Sequence, residues 1–447
     1  MFALFTGCWA IAAITADGFL EDDAWTHYLY SRFALAKPAY FFDVWARPIC
    51  TGLYALAAPW AGMIGCRVIS LILVGVCVWL TMRTAKVLRI DDRVAAIFLL
   101  GQPMLFLHSL SVMTELPFAV LLIGAFLCFL RGRWWAMAAL LGLLPLARPE
   151  GFGFLLLGVV ALIAYRRFAC LPLLLLPIGA WSWCGWRMWG APPDQPWWWW
   201  LIAHWPYSAA STYGHGWLLQ FVVLMPVLIG PSVGFLVPAV SSFILHPSAF
   251  ILGTEPSPLP SPGVPGEGVG RWLLAAIPML VLIVHSLLWW LGKMASYGEI
   301  RYLLIVSPFW AMLAAMGWQR ASFKPSPVLI AAVGLLITMG FKITTLRSSP
   351  EGRIAREVSI WYSSVQEQYP QVIASHPAVY VDLDRPPGAW NAAALRAPND
   401  GAIVLWDPKC GPFNADARLV TDVAGLESVG WKTLRTFDSG WVAMVKK

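Results

Sequence analysis

Three consecutive carboxylates, Glu21, Asp22 and Asp23, open the stretch GFLEDDAWTHYLYSRF. If that stretch is helical, Asp23, His27 and Tyr30 share one face at i, i+4 and i+7. Carboxylates so placed can take a proton, ligate a hard cation, or cap the helix against its positive dipole end. A second set is Arg148-Pro149-Glu150, between the 14-residue apolar runs Trp134–Ala147 and Phe152–Tyr165. As helix each run is about 21 Å long, short of a ~30 Å hydrocarbon core, so the turn should lie recessed below the surface. A recessed Arg and Glu need a polar cavity or each other. Glu115 in SVMTELPF, Glu299, Arg301 and Tyr302 in YGEIRYLL, and Arg47 in DVWARP each read as a helix-end or interfacial anchor or as a ligand contact. Trp197–Trp200 with Trp205, Tyr207 and Tyr213 suit the headgroup zone better than a stacking platform, and His204 and His215 are too isolated for zinc.

The elements that position these groups are set by composition. Of 447 residues 59% are hydrophobic and only 12% charged, with mean hydropathy +0.67, which no ordinary soluble domain sustains. Residues 1–345 hold 20 Lys+Arg against 13 Asp+Glu, and residues 346–447 hold 11 of each, so the net +7 belongs to the first part. Thin positive charge strung between apolar runs is what membrane orientation requires, and it excludes nucleic-acid binding. Cys8, Cys66, Cys77, Cys128, Cys170 and Cys184 lie in or beside apolar runs and read as packing residues, with no zinc spacing.

About 11 membrane helices follow from the run lengths. They are Phe2–Thr15, Gly62–Met82, Val94–Ser109, Thr114–Leu130, Trp134–Ala147, Phe152–Tyr165, Phe168–Met188, Trp217–Val240, Trp272–Leu291, Tyr302–Trp318 and Val328–Thr345. Arg83, Lys86, Arg89 and Arg93 share one loop; Arg131/Arg133, Arg166/Arg167 and Arg320/Lys324 mark three more. All four fall on the cytoplasmic side when the amino terminus is inside. That threading exports the first loop (17–61), the Arg148 turn, the 190–216 loop, the 293–301 loop and the tail. The first helix lacks a basic leader and reads as a retained anchor. EPSPLPSPGVPGEG, in the 254–270 loop, reads as disordered and cytoplasmic.

The expected fold is an all-α polytopic membrane domain (1–345) followed by a small extracytoplasmic α/β domain (346–447). In the tail the pattern predicts an amphipathic helix over Glu351–Gln368 and strands at Ala378–Leu383, Ala402–Trp406, Trp431–Phe437 and Trp441–Val445.

Taken in order, an acidic first loop after one helix, an ARPEG turn after the fifth, a TE at the head of the fourth and an ERY-like Glu299-Ile300-Arg301-Tyr302 resemble the membrane glycosyltransferases of the C superfamily (GT-C). The likeness is to the bacterial branch related to protein mannosyltransferases and arabinosyltransferases, over most of residues 1–345. Here the acids form a triplet and Ile300 is inserted in the last motif. The resemblance implies a bacterial inner-membrane enzyme moving a sugar from a polyprenyl-phosphate carrier to a hydroxyl of a glycan, lipid or protein, with inversion, on the non-cytoplasmic face. It implies Asp22, Asp23 or Glu21 as general base, and Arg148, Arg301 and Arg47 on the phosphate. Glu150 would orient Arg148; His27, Tyr302, Glu115 and Glu299 complete the substrate set. The one cofactor it admits is a divalent cation at the acidic loop. The alternative is a transporter or flippase of a lipid-linked or anionic substrate, for which matched internal repeats would speak; the sequence has none.

Overall fold

The computed structural model describes residues 1–15, 22–190, 195–206, 214–245, 266–294, 297–346, 350–396, 401–412 and 422–446. It is a polytopic helical bundle carrying a small sheet near its carboxyl end. Four helical stretches are long and apolar enough to cross a bilayer: Ala58–Val87, Phe168–Trp189, Gly268–Leu291 and Ile300–Arg320. Shorter apolar helices accompany them, among them Phe2–Thr15, Glu115–Leu130, Trp134–Ala147 and Gly151–Ala164.

In chain order, α1 (Phe2–Thr15) is followed by α2 (Asp22–Phe33) and α3 (Pro48–Ala55) in the first loop, then by α4 (Ala58–Val87). Gly62 kinks the start of α4 with φ 55°, a left-handed value that a side chain resists. The apolar run Val94–Ser109 is not one helix. It forms α5 (Asp92–Leu100) and α6 (Pro103–His108), because Pro103 has no N–H to continue the ladder. A Cβ on Gly101 would lie 2.6 Å from that of Ala331, so the break also admits a neighbouring helix, and the Gln102 side chain donates across it to the Ser307 carbonyl at 3.1 Å.

Helices α7 (Glu115–Leu130), α8 (Trp134–Ala147), α9 (Gly151–Ala164) and α10 (Leu171–Trp189) pack in sequence, α7 also against α4. A short α11 (Trp200–Ala203) follows. The run Trp217–Val240 is likewise broken, into α12 (Gln220–Val223), α13 (Met225–Ile229), a 3-10 stretch Gly230–Phe235 and α14 (Leu236–Leu245). Pro226 and Pro231 remove two backbone donors, and Gly230 turns the chain at φ 66°. The bundle closes with α15 (Glu267–Leu291), a 3-10 helix Ile300–Val306, α16 (Ser307–Arg320) and α17 (Pro327–Leu346). Every residue of α16 from Ser307 to Gly317 is buried, which makes it the central helix. The disorder expected of the Pro/Gly loop concerns residues that lie largely outside the described ones.

The tail begins with α18 (Pro350–Val365) and continues with strands β1 (Gln371–Ala374), β2 (Ala402–Trp406), β3 (Trp431–Thr436) and β4 (Val442–Lys446), ordered β1-β2-β4-β3. β1 runs parallel to β2, whereas β2/β4 and β4/β3 are antiparallel, in the registers Val372↔Ile403 and Val404↔Met444. β2 is buried along its whole length, with Ile403 and Leu405 facing one apolar cluster and Ala402, Val404 and Trp406 another. The strand expected at Ala378–Leu383 is instead a helix, α19 (Pro377–Asp382). Pro377 pre-sets its first turn and His376 Nδ1 accepts from the Ala378 amide at 3.2 Å, a local cap that outweighs the β-favouring Val-Tyr-Val run. The fourth strand is β1, four residues too short to stand out.

Helix α2 is held from two sides. Trp25 and Leu29, one turn apart, join the tail cluster of Val358, Tyr362, Val379 and Tyr380. Tyr28 turns the other way, into Cys50, Tyr54, Ala58 and Cys66 of the bundle. The Arg32 guanidinium clamps both: it donates to the two Asp384 oxygens at 3.0 and 2.9 Å, and to the carbonyls of Ala58 and Pro59.

Candidate active site

The third face of α2 carries Asp23, which meets residues from three distant parts of the chain. Arg301, in the 3-10 helix before α16, donates through Nη2 to Asp23 Oδ2 at 2.7 Å and makes an ion pair with Glu299. Its Nε lies 3.9 Å from Glu115 Oε1. Glu115 Oε1 also accepts from Arg148 Nη1 at 2.5 Å, and that nitrogen bonds Thr114 Oγ1 at 2.9 Å. Arg148 then closes on Glu150 with two bonds, Nε to Oε2 at 3.1 Å and Nη2 to Oε1 at 2.8 Å. Both guanidinium carbons sit 5.7 Å from the centre of the Tyr302 ring. The result is one continuous chain, Asp23–Arg301–Glu115–Arg148–Glu150, with Glu299 on its rim.

Local sequence explains each position. Ser109, Leu110 and Ser111 lead into Thr114 and Glu115 as non-helical backbone, whose carbonyls need partners away from water. They find Trp9 Nε1 at 2.9 Å, Arg67 Nε at 3.0 Å and Ser70 Oγ at 2.8 Å, and Tyr54 braces Ser70. At the α8–α9 turn, a Cβ on Gly151 would fall 2.3 Å from the backbone of Leu144 and Pro145, so only glycine lets α9 start against the last turn of α8. That tight return buries Arg148.

Exposure divides the carboxylates. Glu115 is sealed, at 0%, whereas the side chains of Asp23 and Glu299 are 42% and 28% exposed. Burial raises the Glu299 carboxyl above its ordinary range. Glu115 can therefore organise the two arginines but cannot reach a ligand; Asp23 has one oxygen on Arg301 and an open side.

The other expected site residues lie around this chain. His27 is 4% exposed and stacks on Trp45 at 4.6 Å; burial pushes its pKa down to about 4, so it is neutral at pH 7. Tyr30 tilts against Tyr40. Arg47 is no interfacial anchor: it is 1% exposed, lies over the rings of Trp181 and Trp205 at 5.6 and 5.3 Å, and approaches the Pro145 carbonyl at 3.4 Å. The tryptophan run splits, with Trp197–Trp199 outward and Trp200 buried against Gly185. Glu21, Tyr207, Tyr213 and the Asp22 side chain lie outside the described residues.

Two histidines escaped the sequence reading. His285, in α15, reaches Glu150 Oε1 at 3.5 Å and stacks on Tyr302 at 5.2 Å. His108, at the end of α6, lies 3.8 Å from Glu115 Oε2. Both, with Arg67, interrupt apolar runs, and an ionisable residue inside such a run is itself the signal. For a metal the described residues are a poor fit. None forms a group of three or more His, Cys, Asp or Glu suited to an ion, and the half-exposed Asp23 and Glu299 both already hold Arg301.

A helical bundle whose first-loop helix joins a buried charged chain to a small α/β tail is an arrangement with solved counterparts. No protein-family model and no curated protein matches the chain in sequence. Among solved structures it is similar to ArnT from Cupriavidus metallidurans bound to undecaprenyl phosphate, with TM-score 0.63 and 13% identity over 99% of this chain and 97% of that one. The apo state of the same ArnT gives TM-score 0.64 with the same identity and coverage.

Proposed function

We propose that the chain is an inner-membrane glycosyltransferase. It would move a sugar from a polyprenyl-phosphate carrier to an acceptor hydroxyl on the non-cytoplasmic face, with inversion. The observation that carries this reading is the 2.7 Å contact between half-exposed Asp23 and buried Arg301. The likeness to a protein crystallised with undecaprenyl phosphate supports the carrier.

In the reaction, the acceptor oxygen attacks the anomeric carbon while Asp23 takes its proton, and the C–O bond to phosphate breaks with its electron pair on the leaving oxygen. Arg148 and Arg301 are surrounded by four carboxylates, Asp23, Glu299, Glu115 and Glu150, so neither has spare charge at rest. Proton uptake by Asp23 removes one of those negative charges. Arg301 is thereby released toward the phosphate at the moment its charge develops, which is when stabilisation accelerates the step. Arg148, bound to the less exposed Glu115 and Glu150, holds the frame.

The test is turnover of polyprenyl-phosphate sugars by purified full-length protein. Asp23→Asn should lose about 10²–10⁴-fold in kcat, the usual worth of a general base, while Asp22→Asn retains turnover. Undiminished transfer by Asp23→Asn rejects the base. Lipid binding without any transfer by the wild type would favour a transporter.

A further inference from the structure

The arginines at the opposite end of α8 and α9 are one helix length from Arg148 and take no part in the proposed chemistry. Arg133, Arg166 and Arg167 line a cavity of about 500 Å³ with Trp134, Trp135 and Cys170. That volume would hold more than a dozen waters at ~30 Å³ each, ample for a phosphodiester headgroup.

The cavity's charge is unmatched. The chain has no Asp or Glu between Glu115 and Glu150, nor between Glu150 and Asp194. Among the described residues no carboxylate lies within ion-pair distance of these three arginines. Arg167 lies over the Trp134 ring at 5.8 Å, and that ring is wedged against Tyr165 and Phe129. The buried indole N–H of Trp134 has no hydrogen-bond acceptor among the described residues.

Backbone geometry sets where these guanidinium groups lie. Helix α7 ends in a paired cap in which Gly132 takes the left-handed position (φ 66°), with Arg133 N bonded to Cys128 O and Gly132 N to Phe129 O. Helix α9 ends in the same cap, Arg167 N to Leu162 O and Arg166 N to Ile163 O, but here an arginine holds the left-handed position at φ 57°. A side chain is disfavoured there, and Arg89 takes the same position (φ 55°) in the same cap at the end of α4, away from the cavity, so the cap fixes where the Arg166 guanidinium lies without by itself implying a ligand.

We propose that this cavity binds the phosphodiester headgroup of an anionic phospholipid in the leaflet at that end of the bundle. Three forked guanidinium donors satisfy phosphate oxygens, and Trp135, 59% exposed, offers an aromatic face to the lipid beside them. Orientation alone would require positive charge, but not three arginines lining one cavity.

The experiment is native mass spectrometry of the full-length protein in detergent, titrated with short-chain phosphatidylglycerol, phosphatidylcholine or inorganic phosphate. One phosphatidylglycerol should be retained in preference to phosphatidylcholine. The triple variant Arg133→Gln/Arg166→Gln/Arg167→Gln should weaken it at least tenfold. The triple Arg83→Gln/Arg93→Gln/Arg131→Gln, which removes equal charge outside the cavity, should change it less than twofold. Arg166→Gly relieves the strain, so it should melt higher than wild type and still bind the lipid several-fold more weakly. Equal loss in both triples, undiminished binding in Arg166→Gly, or tighter binding of inorganic phosphate than of the lipid would each overturn the assignment.

Discussion

Glu115→Gln is the sharpest probe of the charged chain, because it removes one sealed charge while keeping the shape. The carboxylate bonds Arg148 at 2.5 Å, lies 3.9 Å from Arg301 and is wholly buried, so no water can replace it. Breaking a buried pair from one side costs about 3–5 kcal/mol. The glutamine amide oxygen can still accept from Arg148, which returns about 1–2 kcal/mol of that. The net loss is about 2–3 kcal/mol, since two guanidinium groups beside Tyr302 lose a shared counter-charge. If that loss falls on the placement of Arg301, kcat/KM for the lipid donor drops about 30- to 150-fold. Thermal melting of the variant should fall alongside it. Glu115→Asp should not rescue, because the shorter side chain cannot span both arginines. Transfer within threefold of wild type, together with an unchanged melting midpoint, would refute the claim that Glu115 organises the site.

Two further outcomes follow from the helix that carries Asp23. His27 is neutral in the fold with a pKa near 4 against 6.5 unfolded, so the unfolded chain binds more protons between those values and stability is lost as pH falls from about 6.5 toward 4. The loss at pH 5 is about 2 kcal/mol; melting at pH 5 and 7.5 should show it, and His27→Phe should flatten the difference. Asp384→Asn breaks an exposed clamp, so its direct cost should stay below about 1 kcal/mol. Hydrogen exchange of the α2 amides should nonetheless quicken in that variant; unchanged protection over Asp22–Phe33 would mean that apolar contacts alone hold the helix.

Periodicity and run length made most of the bundle legible, since every apolar run but two is occupied by a helix at nearly the expected place. The two exceptions, Val94–Ser109 and Trp217–Val240, contain prolines whose missing N–H groups break the ladder, a local signal that summed hydropathy hides. Charged residues announced themselves because charge is rare in such a chain. Which charges meet could not be read, because Asp23 and Arg301 are 278 positions apart and nothing in either segment names the other. Arg47 shows the same limit from another side: its position suits an interfacial anchor or a ligand contact alike, and nothing near it in sequence points to the two tryptophans from beyond residue 180 that bury it. His108 and His285 were passed over inside apolar runs, where a single ionisable group carries more information than its neighbours combined.

The tail is not separable from the site, and the reason lies in three residues of α2. Trp25 and Leu29 are part of the tail's own apolar cluster, and Trp25 packs edge-on to His376 at 5.1 Å, so the tail core is incomplete without a helix from the first loop. Tyr28, between them in sequence, is buried in the bundle instead. A helix gripped on two faces has little freedom to rotate about its axis, and the remaining face is the one that presents Asp23 to Arg301. Had α2 been held by the bundle alone, small rotations would swing the carboxylate by several ångströms, far more than a 2.7 Å hydrogen bond tolerates. Through Trp25 and Leu29 the tail thus fixes the angle of the helix that presents Asp23.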